Sequence, residues 1–359
     1  MEMLVNRDIL AISIPFSAGV ILAAYLPQGE LSLHIAASAA CLASLVFASG
    51  LLTKGAGRLV VYFLFFISGC LISWNSRISI TAETPVFRIA SLAMEKLIAL
   101  IDSIDFKNAE SSALIKALLC GDRSCLGRDL AEAFRKSGAS HILALSGLHM
   151  GIIYGILSRL LLVIGNSVAG RTIRAAIIIL SCGFFSVMTG ASESVVRAFL
   201  FITLNETAGL MSGRGKSPLG IFCCALMLQL CISPLSVKSV GFQLSYAAML
   251  GIYLAYPVLS SWLPDSAGRI LRWIWNSCAM SISCQLFTAV LVYIYFRSFP
   301  LMFLLTNLIS LPLTEAFIIS SVACLGLYAL GICPEIIKGL TEFLGQTLIY
   351  CIETIASIS

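Results

Sequence analysis

The sequence has very few charged residues and very few histidines. Charged side chains make up 11% of the 359 residues, and only three residues are histidine. Soluble domains carry about 25% charged residues, so the composition argues against a water-soluble fold. The chain is instead 59% hydrophobic with a mean hydropathy of +0.98, which is typical of a polytopic membrane protein.

Several motifs that carry chemistry are also missing. None of the thirteen cysteines forms a C-x-x-C pair, so no zinc or redox motif is supported. A glycine-rich phosphate loop and an H-x-H-x-D-H pattern are absent, so we expect no ATP hydrolysis, no metal and no cofactor. Cys120 and Cys125 lie in a polar stretch, where they either form a disulfide or remain two free thiols.

Long apolar runs predict an all-α bundle of about ten or eleven membrane helices. The first run lacks a strongly basic leader and a cleavage site, so we interpret it as a retained membrane helix. Pro312 predicts a break in the last long run. The runs are Ile9–Leu26, Leu33–Leu52, Leu59–Trp74, Ile142–Ile164, Ala175–Met188, Val195–Leu210, Leu219–Ile232, Phe242–Leu259, Trp273–Phe296 and Leu301–Leu330, followed by a terminal helix.

Basic residues are concentrated in alternate loops, which accounts for the net charge of +5 without nucleic acid. The positive-inside rule places these loops in the cytoplasm, whereas the connection "PQGE" after the first helix has no Lys or Arg. We therefore expect a cytoplasmic N-terminus. The basic residues are Lys54, Arg58, Arg159, Arg171, Arg174, Arg214, Lys216, Arg269 and Arg272.

The pattern divides the chain into an N-terminal three-helix membrane region (1–75), an extracytoplasmic amphipathic helical segment (76–140) and a main membrane domain (141–359). Apolar periodicity predicts three helices in the middle segment, within "VFRIASLAMEKLIALIDSI", "AESSALIKALLCGD" and "RDLAEAFRKSG". Gly138 is expected to end the third. Ser140 is expected to cap a helix that begins at His141.

That helix, placed over 141–158, separates two kinds of residue. Three glycines form one stripe suited to close helix packing: Gly147, Gly151 and Gly155. His149 lies opposite them, with Ser146 and His141 on either side, as in a helix that lines a polar pathway. Alternatively, each histidine satisfies one neighbouring helix. No third orienting group for a Ser–His hydrolase can be identified, so we expect no enzyme.

Other polar residues interrupt the apolar runs. Glu193 and Arg197 have the i,i+4 spacing of an ion pair. Ionisable residues inside membrane helices usually face the bundle interior or a water-filled cavity. A single helix–helix hydrogen bond explains each Asn or Gln taken alone. The whole set of polar residues favours a hydrated interior: Asn205, Glu206, Gln229, Gln243, Gln285, Asn307 and Glu315.

The stretch "ALLCGDRSCLGRDLAEAFRKSGASHILALSGLHMGIIYGIL" resembles the entry motif of the ComEC family of bacterial competence proteins. "VGFQLSYAAMLGIYL" and "FRSFPLMFLLTNLISLPLTE" resemble that family in the same order. The resemblance implies a multi-pass channel in the bacterial cytoplasmic (inner) membrane that takes in single-stranded DNA during natural transformation. The implied site residues are Asp122, Arg123, His141, Ser146, His149, Arg197, Gln243 and Asn307.

Roles follow from chemistry once the resemblance is granted. Arg123 could attract phosphates at the outer mouth, and the Ser146, His141 and His149 side chains could line the opening. Arg197 is a fixed positive charge or the partner of Glu193. The implied partners are single-stranded DNA, membrane lipid, an outer DNA receptor, a cytoplasmic motor and a possible separate nuclease.

Long family members also carry an OB-fold-like domain and a metallo-β-lactamase-like nuclease domain. Residues 75–111 are predicted to be helical rather than stranded, and no nuclease histidine signature is present, so we expect a short form without either domain. Two further interpretations stay open. The chain could transport another anionic or small polar solute, or be a structural membrane subunit without a pore.

Overall fold

The computed structural model describes residues 2–25, 54–75, 85–211, 217–264, 266–297, 302–332 and 334–358, where all regular structure is helical. The all-α prediction is confirmed. In chain order the helices are α1 Glu2–Tyr25, α2 Lys54–Asn75, α3 Pro85–Ser103, α4 Ala109–Ile115, α5 Arg128–Lys136, α6 Ser140–Leu143, α7 Gly147–Leu160, α8 Val168–Met188, α9 Glu193–Leu210, α10 Pro218–Ile232, α11 Val240–Leu254, α12 Tyr256–Ser260, α13 Arg269–Phe296, α14 Phe303–Ala329 and α15 Glu335–Ile358.

Six helices among the described residues are long and apolar enough to cross a membrane, so the chain is an integral membrane protein. Two shorter apolar helices, α10 and α11, accompany them. The predicted run Leu33–Leu52 lies outside the described residues, and the total of ten or eleven stays a prediction. The six stretches are Asp8–Tyr25, Gly57–Trp74, Gly147–Ile164, Val168–Met188, Arg269–Phe296 and Phe303–Ala329.

The chain folds into two compact units. The first comprises Met1–Ala82, Gly165–Ile179 and Val196–Gln243. The second comprises Glu83–Ile164, Leu180–Val195 and Leu244–Ser359. The three segments predicted from the sequence describe position relative to the membrane, and that division stays a prediction.

Glycines allow the close packing of α1 and α2 in the first unit. A Cβ atom on Gly19 would overlap the carbonyl oxygen of Phe66, and one on Gly69 would overlap that of Phe16. The Cys70 thiol donates to the Gly19 carbonyl at 3.3 Å. The two backbones are therefore in direct contact, which is the packing that small residues permit in membranes.

The second unit is built around α4, which continues into a π-turn over Lys116–Cys120. Leu114, Leu118 and their neighbours are fully buried against α5, α14 and α15. Helices are present in all three predicted stretches of residues 85–138. However, α4 is a core helix, whereas α3 has one buried and one exposed side.

The predicted break at Pro312 is wrong, because α14 runs unbroken from Phe303 to Ala329 with Pro312 inside it. Proline removes one N–H donor and crowds the preceding turn. The C-terminal half of α14 packs along α15 through a shared core that includes Phe317 and Leu348. Membrane helices tolerate proline where neighbouring helices hold them, and this contact keeps the helix continuous.

Candidate functional site

The chain breaks its helix between His141 and His149. Helix α6 ends at Leu143, Ala144 and Ser146 are extended, and α7 begins at Gly147. The prediction of one helix over 141–158 is therefore wrong, as is Ser140 as its cap, since Ser140 is already helical. The unbroken apolar pattern hides this break.

Ser146 and His149 cap the new helix reciprocally. The Ser146 hydroxyl accepts from the N–H of Leu148 at 3.3 Å, and His149 Nδ1 accepts from the N–H of Ser146 at 3.2 Å. Serine with an acceptor three residues later is the capping-box pattern, here with histidine in the usual place of Glu or Gln. The S-x-x-H spacing is the sequence signal that indicates this start.

The capping bond fixes the tautomer of His149. Because Nδ1 accepts a backbone N–H, the neutral ring carries its proton on Nε2. The side chain is 1% exposed, and Nε2 has no hydrogen-bond partner among the described residues. A buried N–H donor without an acceptor costs about 1–3 kcal/mol, so among the described residues His149 Nε2 is an unsatisfied donor.

His141 lies apart from this arrangement. It is exposed on α6, and its Nδ1 is 3.1 Å from the carbonyl oxygen of Gly138. Gly138 has φ +81° and ends α5, as predicted. Because the break separates the two helices, the predicted placement of His141 beside His149 on one helix face is wrong.

The "GDR" loop follows the π-turn that ends α4. Gly121 has φ +74°, and its N–H and that of Asp122 both donate to the Lys116 carbonyl. Asp122 Oδ1 accepts from the N–H of Ser124 at 2.9 Å, and hydrogen bonds from Ser124 lower the pKa of this carboxyl. The ionised Asp122 carboxylate therefore stabilises the turn at pH values above the ordinary pKa of aspartate. This stabilisation is lost as the pH falls through the lowered pKa.

Arg123 ties this loop to the helix break. Its Nε donates to the Leu143 carbonyl at 3.1 Å. A Cβ atom on Gly121 would lie 2.6 Å from Leu145 Cδ1, so the loop backbone contacts the break directly. Arg123 is itself exposed. The two halves of the motif, "GDR" and "SGLH", thus fold as one structure.

A buried lysine supports the same loop. Lys116 Nζ lies 2.5 Å from Asp102 Oδ1, with the lysine side chain 10% and the aspartate 53% exposed. The hydrogen bond to Asp102 raises the pKa of Lys116. Burial raises the pKa of the Cys120 thiol to about 11, whereas Cys125 is exposed, and both are free thiols. Sequence reasoning did not single out Lys116, because one lysine in a helix gives no sign of burial.

Two glycines of the α7 stripe have no close neighbour in the part of the chain that the structure describes. Gly151 is exposed, and a Cβ atom built on Gly151 or Gly155 would meet nothing within 4 Å among the described residues. Close packing along this stripe therefore stays a prediction.

The remaining predicted residues lie elsewhere. In the first unit, Arg197 is buried on α9, and Gln243 Nε2 donates to the Val237 carbonyl at 2.9 Å. In the second unit, Asn307 Nδ2 donates to Ser281 Oγ at 3.4 Å, while Asn307 Oδ1 is buried with no partner in the described ranges. Across those ranges no group of three or more His, Cys, Asp or Glu side chains could hold a metal ion.

The fold and this motif define an integral membrane protein with a capped, buried histidine at the start of one membrane helix. Residues 118–359 match the family model described as "Competence protein". The chain therefore belongs to the Competence protein family, as the resemblance indicated.

Its relatives include ComE operon protein 3 of Bacillus subtilis, 26% identical over 67% of this chain. Competence protein ComA of Neisseria gonorrhoeae is 27% identical over 61%, and Recombination protein 2 of Haemophilus influenzae 25% over 66%. The matches cover 30% of each of these relatives, so the chain spans under a third of their length. No solved structure matches.

Proposed function

We propose that this chain forms the membrane conduit for single-stranded DNA across the cytoplasmic membrane in natural transformation. Its family and one of these relatives are named as competence proteins, and another relative is named for recombination. The proposal extends these names to a specific role, which a polytopic bundle with polar groups inside its helices can fill.

The buried Nε2–H of His149 carries the proposal. It sits at the start of a candidate membrane span, held by a reciprocal cap, and it faces no acceptor among the described residues. Phosphate oxygens and base edges of DNA are acceptors. A neutral donor binds them more weakly than a fixed charge does, and conduction requires sites that release what they bind.

Charge near the helix break supports an anionic substrate. Arg123 uses one nitrogen for the Leu143 carbonyl and leaves an exposed guanidinium that can meet phosphates. Arg135 contributes less, because it forms a hydrogen-bonded ion pair with Glu132 at 2.6 Å.

The remaining parts of the assembly are inferred from chemistry. Without a nucleotide-binding loop in the sequence, the driving force would come from a cytoplasmic motor. An outer receptor would deliver the DNA, and a separate nuclease would remove the second strand. From the loop charges, we place the N-terminus on the cytoplasmic side of the inner membrane.

Uptake of labelled DNA tests the conduit. A deletion strain would be complemented with wild type, His149→Asn or His149→Ala, and membrane levels would be compared. The Asn amide oxygen can replace Nδ1 as the cap acceptor but lacks the Nε2–H. We expect at least a tenfold loss of uptake in both variants, with a lower melting temperature only for His149→Ala.

Two results would contradict the proposal. Normal uptake with His149→Asn would mean that His149 only caps α7. Normal uptake in the deletion strain would remove the DNA role altogether, and assays of small anionic solutes would then follow.

A further inference from the structure

A cleft of about 370 Å³ lies within the second unit, and neither the "GDR" loop nor the Ser146–His149 cap lines it. Helices α3, α7, α8 and α14 and the π-turn after α4 line it, and every lining residue is apolar. These residues are Leu97, Leu100, Leu119, Ile153, Phe185, Met188, Val322, Leu325, Gly326 and Ala329. Water does not fill such a space readily, since it would find no polar partners.

The cleft lies at the ends of membrane spans. Phe185 and Met188 belong to the last turn of α8, and Val322 to Ala329 form the last two turns of α14. Both helices are candidate spans. The α14 wall is about 10 Å long at 1.5 Å per residue, against a leaflet of roughly 15 Å of hydrocarbon. The cleft therefore fits within one leaflet.

Helix α3 covers this end of the unit and has the character of an interfacial helix. Its Leu97 and Leu100 face the cleft, while Val86, Ile89 and Leu92 are about half exposed. The Tyr328 hydroxyl donates to the Ser103 carbonyl at 2.9 Å, which ties the end of α3 to the end of α14. Amphipathic helices of this kind lie at the level of the lipid headgroups.

Gly326 keeps the cleft open. A Cβ atom there would meet no atom of the described residues within 4 Å, so none of their contacts requires glycine. Its φ is not positive, so the backbone does not require glycine either. Glycine inside a helix costs about 0.5–1 kcal/mol relative to alanine. The missing side chain thus leaves room that a larger residue would fill.

We propose that the cleft binds one acyl chain of a membrane phospholipid, with the headgroup phosphate beside Lys96. Lys96 is exposed and one helical turn from Leu100, so it lies at the cleft end of α3. The wholly apolar lining of the cleft and its position at the ends of two candidate membrane spans suit an acyl chain. The site is independent of the proposed DNA role.

Photolabelling in proteoliposomes tests the site. A phosphatidylglycerol with a diazirine in one acyl chain would be irradiated with wild type, Gly326→Leu and the matched control Gly339→Leu. Gly339 is an exposed helical glycine of α15, and its Cβ position also has no described atom within 4 Å. We expect saturable labelling of the peptides around Leu97 and Val322, reduced at least threefold by Gly326→Leu alone.

A reference surface separates this site from ordinary lipid contact. The exposed face of α13, with Leu286, Val290 and Ile294, should be labelled in proportion to probe concentration without saturation. Unsaturable labelling of the cleft peptides in wild type would overturn the proposal, whether or not the variant folds. Equal labelling of Gly326→Leu and Gly339→Leu would also overturn it.

Discussion

The two compact units are stabilised in different ways. In the first, α1 and α2 are packed backbone to backbone through Gly19 and Gly69. In the second, polar groups hold irregular backbone in place: Lys116 binds Asp102, and Arg123 binds the Leu143 carbonyl. Where these helices are regular, close packing is supplemented by a thiol hydrogen bond from Cys70 to the Gly19 carbonyl. A helix break at a family motif requires hydrogen bonds as well, because its backbone groups have no helical partners.

The largest expected effect tests the packing of the first unit. Gly19→Ala places a methyl group against the Phe66 carbonyl and should destabilise the protein by about 3 kcal/mol or more. Gly155→Ala makes the same change in open space and should be neutral or stabilise by up to about 1 kcal/mol. Thermal unfolding in detergent distinguishes them. A damaging Gly155→Ala would instead show that the α7 stripe packs against a partner.

A second test removes the charge that compensates Lys116. Asp102→Asn leaves a buried ammonium without its partner and should cost about 1–3 kcal/mol, discounted because Asp102 is half exposed. Lys116→Met in the same background should recover part of the loss, as a double-mutant cycle would measure. An unchanged melting temperature for Asp102→Asn would assign the loop's stability to other contacts.

The same pair has a predicted pH dependence. The hydrogen bond to Asp102 raises the pKa of Lys116 above its ordinary 10.5. Its stabilisation is therefore complete below pH 10.5 and is lost as the pH rises through the raised value. The Asp102→Asn variant should lack this alkaline loss in a pH series of melting temperatures.

A third test addresses the link between loop and break. Arg123→Gln loses the charged donor to Leu143 and should cost about 1–2 kcal/mol. Arg123→Lys keeps the charge without the fixed geometry of Nε. Both variants would be tested for DNA uptake in the deletion strain. If Arg123 positions the break, neither variant should support uptake. If Arg123 acts only as a positive charge, Arg123→Lys should support it.

The last prediction concerns thiol reactivity and involves no change in stability. It compares buried Cys120 with exposed Cys125 in the second unit. At pH 8 a thiol with a pKa of about 11 is thiolate in about one molecule in a thousand. Cys125 should react with a membrane-impermeant maleimide added to spheroplasts, and Cys120 should not. A Cys125 that reacts only after lysis would place this segment on the cytoplasmic side.

Periodicity predicted the helices well and their interruptions poorly. The apolar spacing of α3 and the stop at Gly138 were readable, because each depends on local pattern and backbone chemistry. The break at Ala144–Ser146 could not be predicted in this way, because "HILALSGLH" has the apolar pattern of a continuous membrane helix. Only the S-x-x-H spacing indicates the cap. Pro312 misled in the opposite direction, because packing along α15 outweighs one lost hydrogen bond.

The candidate site was predicted by resemblance more than by spacing. Ser146 and His149 do come together, but through a cap rather than a shared helix face. No sequence pattern predicts that Lys116 is buried or that the Leu143 carbonyl accepts a hydrogen bond from Arg123. Both depend on contacts between segments that are distant in the sequence. Those contacts appear only when the chain is folded.

Two hydrogen bonds have a consequence for synthesis. Thr306 donates to the Ser137 carbonyl across 169 residues, and Glu342 accepts from the N–H of Lys107 across 235. At 5–20 residues per second, the latter partner emerges roughly 12–47 s later. The early helices of the second unit must wait in or beside the bilayer during that time. Insertion factors and membrane proteases would meet them there before the last helix arrives.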